Sequence, residues 1–156
     1  MNKPRQVILY VITDLLAAML AWATFYAYRK AVIESALYGS PVQFIPDRNF
    51  YIGISLLPLA WVILFALTGS YNDIFRKSRL KEIGQTMYLS VIGVLVIFFT
   101  LLLDDAIVSY KSYYSTFLVL FALQFGFTAF SRFCITSVTA YKIKNRIIGF
   151  PTLIIG

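Results

Sequence analysis

Two ionisable side chains interrupt stretches that are otherwise uncharged. Asp14 sits inside "VILYVITDLLAAMLAWATFYAY", and Arg132 follows "STFLVLFALQFGFTAFS". An ionisable group in a long apolar run is costly and usually has a partner. Counting inward from the cationic ends of the two stretches puts both at about 10–14 Å depth, at 1.5 Å per helical residue. The pattern predicts an intramembrane ion pair, Asp14 with Arg132. The bland competitor is a hydrated or protonated Asp14 near the interface, with Arg132 snorkelling to headgroups. A second concentration of charge lies in "GSYNDIFRKSRLKEIGQ", where Arg76, Lys77, Arg79 and Lys81 fall within six residues. These four are candidates for contact with lipid phosphate, although a purely topological role also accounts for them. Asp104 and Asp105 are adjacent, so on a helix they point about 100° apart and make no ready metal clamp. A solvated turn explains them better.

Several chemistries are closed. Histidine is absent and Cys134 is the single cysteine, which excludes thiolate–imidazole zinc sites, Cys–His catalysis and an intrachain disulfide. The sequence shows no nucleophile beside a base, no glycine-rich phosphate loop and no pair of cytosolic carboxylates, so no catalytic, cofactor or metal residue is assigned. The net charge of +7 could suit nucleic acid. Its cations lie at the ends of apolar segments, however, which favours anionic lipid and membrane orientation over nucleic acid.

The elements that must hold these residues follow from composition. Only 13 % of the 156 residues are charged, about half the soluble norm of roughly 25 %. Predominantly apolar runs of about 18 or more residues are long enough to cross the hydrocarbon core as helices. Four emerge, at about 7–28, 50–69, 86–103 and 113–138. Helix is the expected form, because lipid cannot satisfy open backbone groups. The first run follows Lys3 and Arg5 like a signal peptide, but it is too long for a cleavable h-region and contains Asp14, so it reads as a retained span. Pro58 inside the second predicts a bend. Before the third, Ser78 could cap a short helix whose Leu80, Ile83 and Met87 share a stripe, an amphipathic element lying on the inner surface. A plain solvated loop competes with that reading.

Orientation comes from counting Lys and Arg. One side holds Lys3, Arg5, Arg76, Lys77, Arg79, Lys81, Lys142, Lys144 and Arg146; the other holds Arg29, Lys30, Arg48 and Lys111. Nine against four predicts both termini and the basic connector in the cytoplasm. Tyr26, Tyr28, Phe50, Tyr51, Tyr113 and Tyr114 would then form an aromatic belt at the outer interface. The chain closes on "RIIGFPTLIIG". Its "TLIIG" reads as a buried strand entering a turn, the first strand of a cytosolic α/β domain that continues beyond Gly156; a fifth, interfacial segment is the alternative. The expected organisation is a four-helix transmembrane domain over 1–141, then a linker and the start of the cytosolic domain over 142–156.

The order of these features resembles the polytopic polyprenyl glycosylphosphotransferases, also called undecaprenyl-phosphate sugar phosphotransferases. Carrying the likeness are Asp14 in the first span, "GSYNDIFRKSRLKEIGQT" after the second, Arg132 late in the fourth, and "NRIIGFPTLIIG". It covers essentially the whole chain. The resemblance implies four spans with both ends inside, followed by a Rossmann-like domain. It also implies a bacterial inner-membrane enzyme that transfers a hexose-1-phosphate from a UDP-sugar to undecaprenyl phosphate, releasing UMP and priming exopolysaccharide, capsule or O-antigen synthesis. In that family an Asp–Glu dyad with Mg²⁺, in a domain not contained in this sequence, does the chemistry, so this segment alone is expected to be inactive. Its implied partners are the bilayer, the carrier lipid and, in a homo-oligomer, further copies. The rival expectations are a small four-span transporter and the anchor of an unrelated cytosolic sensor or enzyme.

Overall fold

A computed structural model of the chain describes residues 3–40, 43, 45–72, 79–102 and 110–144. Among the described residues there are helices and turns and no strand. The strand expected at "TLIIG", and with it the Rossmann-like domain, falls outside the described residues. Helix α1 spans Lys3–Tyr28 and continues through a π-helical segment, Arg29–Glu34, into a short α2, Ser35–Tyr38. Helix α3 spans Arg48–Leu67, α4 spans Arg79–Ile97 with a π-helical end at Phe98–Leu102, and α5 spans Tyr110–Lys144. Four helical stretches are long and apolar enough to cross a bilayer: Pro4–Tyr38, Arg48–Leu67, Leu80–Thr100 and Tyr113–Tyr141. The described residues form an all-helical bundle whose four long apolar helices are those of a multi-pass membrane protein.

The bundle has the polarity expected in hydrocarbon. Large apolar residues such as Ile8, Leu16, Leu20, Leu56, Ile63, Leu67, Leu118 and Phe130 face outward, while the interior mixes aromatics with Gln, Thr, Asp, Glu and Arg. Lipid tails are as apolar as leucine, so nothing drives leucine inward. Helices associate through close packing and internal hydrogen bonds instead. Helix α1 packs along α3 on one side and α5 on the other, and α4 packs along α5. Contact between α3 and α4 is sparse by comparison, so three of the four seams are tightly closed.

Two glycines set the close approaches. A Cβ on Gly53 of α3 would lie 2.3 Å from the Trp22 indole of α1, and one on Gly93 of α4 would lie 2.2 Å from Trp61 of α3. Each glycine opens a slot that a tryptophan fills. The Trp22 ring nitrogen also donates to the Phe50 carbonyl at 3.3 Å. Helix α3 runs on through the buried Pro58.

The sequence-based helix limits need correction in two places, and the first stretch, expected to end near residue 28, runs on as helix to Tyr38. The stretch expected to lie flat on the membrane is the opening of α4 itself, which begins at Arg79 and not near Thr86. Leu80 is 84 % exposed and Met87 51 %, whereas Glu82 and Thr86 are buried. Leu80 and Met87 therefore face outward while Glu82 and Thr86 face the bundle, and the segment is continuous with the apolar stretch Leu80–Thr100. A polar face with partners inside the bundle lets this segment join the span.

Candidate functional site

The site grows from the buried stripe of α5. Thr116, Leu120, Gln124, Thr128, Arg132 and Thr136 recur at every fourth position, with Ile135 and Thr139 completing the inner face. At 3.6 residues per turn each step of four shifts the stripe by about 40°, so it winds around α5, which packs against both α1 and α4. All but two of them are polar, so α5 presents hydrogen-bonding groups to the interior and apolar ones to lipid.

Helix α1 answers in antiparallel register. The Gln6 side-chain amide donates to Thr139 Oγ1 at 2.7 Å, the Tyr10 and Thr136 hydroxyls lie 3.0 Å apart, and Arg132 reaches Asp14. Residue numbers rise by four on α1 as they fall by three or four on α5. The start of α1 and the end of α5 consequently lie at the same end of the bundle.

Arg132 is the hub, about 1 % exposed. Its Nε donates to Asp14 Oδ1 at 3.0 Å and its Nη2 to Asp14 Oδ2 at 2.6 Å. This two-pronged geometry is the one in which a guanidinium matches a carboxylate best. The Tyr71 hydroxyl adds a third bond to Asp14, donating to Oδ2 at 2.9 Å. The guanidinium also lies 3.9 Å from the centroid of the Phe65 ring, a cation–π contact in a dry setting. Nη1 lies 3.7 Å from Glu82 Oε1, an ion-pair distance too long for a hydrogen bond. Glu82 Oε2 accepts from Thr136 Oγ1 at the outer limit of 3.5 Å.

Tyr71 reaches Asp14 because of how α3 ends. Gly69 takes a left-handed φ of 68°. Around it Gly69 N donates to the Ala66 carbonyl at 3.0 Å and Ser70 N to the Phe65 carbonyl at 2.9 Å. This paired closure is a Schellman motif, and the left-handed residue it needs is usually glycine. The turn swings Tyr71 inward, and Gln85 of α4 ties it down by donating to Ser70 Oγ at 3.0 Å. Five chain segments meet here: α1, the end of α3, the α3–α4 turn, the opening of α4, and α5.

The sequence-predicted residues fare differently. Asp14 and Arg132 are brought together. Arg76 and Lys77 lie outside the described residues, as do Asp104 and Asp105. Arg79 opens α4, with its side chain outside the described set, and Lys81 is exposed on the first turn of α4. Sequence reasoning took Asp14 as the single acidic residue of a span; Glu82 is a second, 2 % exposed. It also passed over Tyr10, Thr136, Gln6 and Thr139, and met Tyr71 only inside the motif "GSYNDIFRKSRLKEIGQT". The available signal was the four-residue spacing of polar side chains, at 82, 86 and 90 on α4 and at 124, 128, 132 and 136 on α5.

Chemically the cluster binds helices to one another. Both Asp14 oxygens are occupied, and Asp14, Glu82 and Arg132 are each at most 2 % exposed. Among the described residues there is no group of three or more acidic, His or Cys side chains placed to hold a metal. No family model, curated protein or solved structure matches the chain.

Proposed function

We propose that this chain is the membrane-embedded helical domain of an undecaprenyl-phosphate hexose-1-phosphate transferase, a rigid anchor that carries no catalytic residue of its own. The observation that carries the anchor reading is the closed Asp14–Arg132 pair, bonded in two places and shielded from both water and lipid. A transporter keeps its membrane charges facing a substrate cavity that opens to one side or the other. Here the charges are spent on each other and on Tyr71. The transferase reading rests on the order of Asp14, the Gly-Ser-Tyr turn, the basic connector and Arg132 along the chain.

The cytoplasmic side is assigned by the excess of Lys and Arg around Lys3, the 76–81 connector and Lys142–Arg146. In a bacterial inner membrane this places the end of the bundle that holds the charge cluster toward the cytoplasm. Partners of the whole enzyme would be a UDP-sugar, the polyprenyl phosphate carrier and Mg²⁺ at its catalytic domain.

The test uses membranes from cells expressing the full protein that contains this chain, supplied with UDP-hexoses, Mg²⁺ and undecaprenyl phosphate. Release of UMP with formation of a lipid-linked hexose diphosphate is the expected result, and residues 1–156 alone give none. No product with any UDP-hexose would overturn the transferase reading. Reporter fusions that put Arg76–Lys81 outside would overturn the orientation.

A further inference from the structure

The α3–α4 seam is the loosely packed one, and it holds an apolar groove of about 130 Å³ lined by Ala60, Trp61, Leu64, Ile92, Gly93 and Val96. Every lining residue lies within the membrane-crossing stretches of α3 and α4. The small side chain at Ala60 leaves the space, and Trp61, seated against Gly93, forms its floor. A groove of this lining at this depth meets hydrocarbon.

Its continuation along α4 says which hydrocarbon. Lys81, Tyr88, Ile92 and Phe99 are spaced seven, four and seven residues apart, which places them on one stripe of a helix. Lys81, Tyr88 and Phe99 on this stripe are exposed, and Ile92 is partly buried in the groove. Lys81 lies one residue inside the start of the crossing stretch at Leu80, a position within reach of the headgroup layer for a long basic side chain. It stands about 16 Å along the helix from Ile92, at 1.5 Å per residue. A cation at the surface, an aromatic below it and an apolar groove deeper on the same stripe match the parts of one lipid in order.

We propose that this seam is a binding site for a single anionic glycerophospholipid, its phosphate at Lys81 and one acyl chain in the α3–α4 groove. The site rests on the membrane-crossing reading alone, not on the transferase reading, so it stands or falls separately from that activity. A basic side chain near a membrane surface favours an anionic headgroup by about fivefold. The bound chain completes the one seam that the protein packs sparsely.

Trp61 reports on the groove directly. The Trp22→Phe protein, with Trp61 as its sole tryptophan, is reconstituted in phosphatidylcholine vesicles. Those vesicles contain a minor fraction of either phosphatidylglycerol or phosphatidylcholine brominated at mid-chain. Brominated phosphatidylglycerol is expected to quench Trp61 with about fivefold higher apparent affinity than brominated phosphatidylcholine. Lys81→Gln abolishes that preference, and Ala60→Phe, which fills the groove, reduces quenching by both lipids. Native mass spectrometry of the unsubstituted protein provides an independent reading, expected to show one retained phosphatidylglycerol that Ala60→Phe loses. Equal quenching by the two lipids, a preference that survives Lys81→Gln, or quenching unchanged in Ala60→Phe would overturn the site. So would protection of Trp61 by dimerisation, or displacement of the lipid by polyprenyl phosphate at lower concentration than by phosphatidylglycerol.

Discussion

The seam between α1 and α5 and the seam between α3 and α4 solve the same problem with opposite chemistry. The first is a ladder of polar pairs, Gln6–Thr139, Tyr10–Thr136 and Asp14–Arg132. The second is an apolar contact keyed by Trp61 in the slot of Gly93. In water, apolar packing would dominate both. In a bilayer the outside is already apolar, so shape and internal hydrogen bonds carry the specificity. The polar seam joins the first and last helices, which no short loop tethers. The apolar seam joins α3 and α4, which share a turn tied down by Ser70 and Gln85. Buried side-chain pairs run along the seam where connectivity gives no help.

The sharpest way to break that contrast is to remove one charge. Arg132→Ala leaves Asp14 buried without its counter-ion, and loss of one partner of a buried pair costs about 3–5 kcal/mol. Folded yield and resistance to denaturing detergent are expected to fall steeply, and Asp14→Ala is expected to do the same. The exchanged pair Asp14→Arg with Arg132→Asp recovers part of the loss, since the antiparallel register keeps the two positions facing each other. A double variant no better than either single would show that the two side chains are not coupled. Tyr71→Phe is milder, removing one hydrogen bond to a charged acceptor worth about 1.5–3 kcal/mol. In a double-mutant cycle with Asp14→Ala it is expected to be non-additive, because both remove the same bond.

The apolar seam answers to size and not to charge. Gly93→Ala drives a methyl to within 2.2 Å of Trp61, and overpacking of this kind costs about 1–3 kcal/mol. Trp61→Leu is expected to relieve much of that cost in the double variant, whereas it gives no relief to Arg132→Ala. Thermal unfolding in detergent separates the cases. Gly69→Ala tests the turn that serves both seams. Its φ of 68° disfavours any side chain by about 1–2 kcal/mol.

These regions were unequally visible in the amino-acid sequence. The four crossings could be read from length and apolarity, since the 30 Å core imposes a run that no soluble helix needs. Counting inward from the flanking cations puts Asp14 and Arg132 level, and in the structure they are bonded. Glu82 was hidden by its company. Flanked by Lys81 and a basic connector, it looked like the polar face of a surface helix, and its burial depends on α5 supplying Thr136 and Arg132 opposite. The slots at Gly53 and Gly93 were equally hidden. A glycine in a helix does not announce which tryptophan will fill it, because that depends on register between helices. Tyr71 was noticed only as part of a loose likeness, and its inward turn depends on the left-handed Gly69.

The smallest expected effect lies at the opposite end of the bundle, where the helical extension of α1 meets the start of α3. The Tyr26 hydroxyl donates to Asp47 Oδ1, and Lys30 Nζ bridges Asp47 Oδ2 at 3.1 Å and Glu34 Oε2 at 2.8 Å. The Tyr26 hydrogen bond, assisted by Lys30, holds the Asp47 carboxyl below its ordinary value of 3.8. A carboxyl lowered in this way stabilises the fold fully above its unfolded pKa, and that contribution fades as pH falls through the lowered folded value. Asp47 is half exposed, so solvent screening keeps the contribution small. Between neutral pH and about pH 5, stability is expected to be flat with respect to this group; the loss begins only in stronger acid. Asp47→Asn removes the acid-dependent part, and Tyr26→Phe moves it toward higher pH, because a carboxylate without its donor binds a proton more readily. The buried Asp14 pair is left untouched by either change. If Tyr26→Phe left the acid midpoint where it was, the hydroxyl would not be what holds Asp47 ionised, and Lys30 alone would account for the latch.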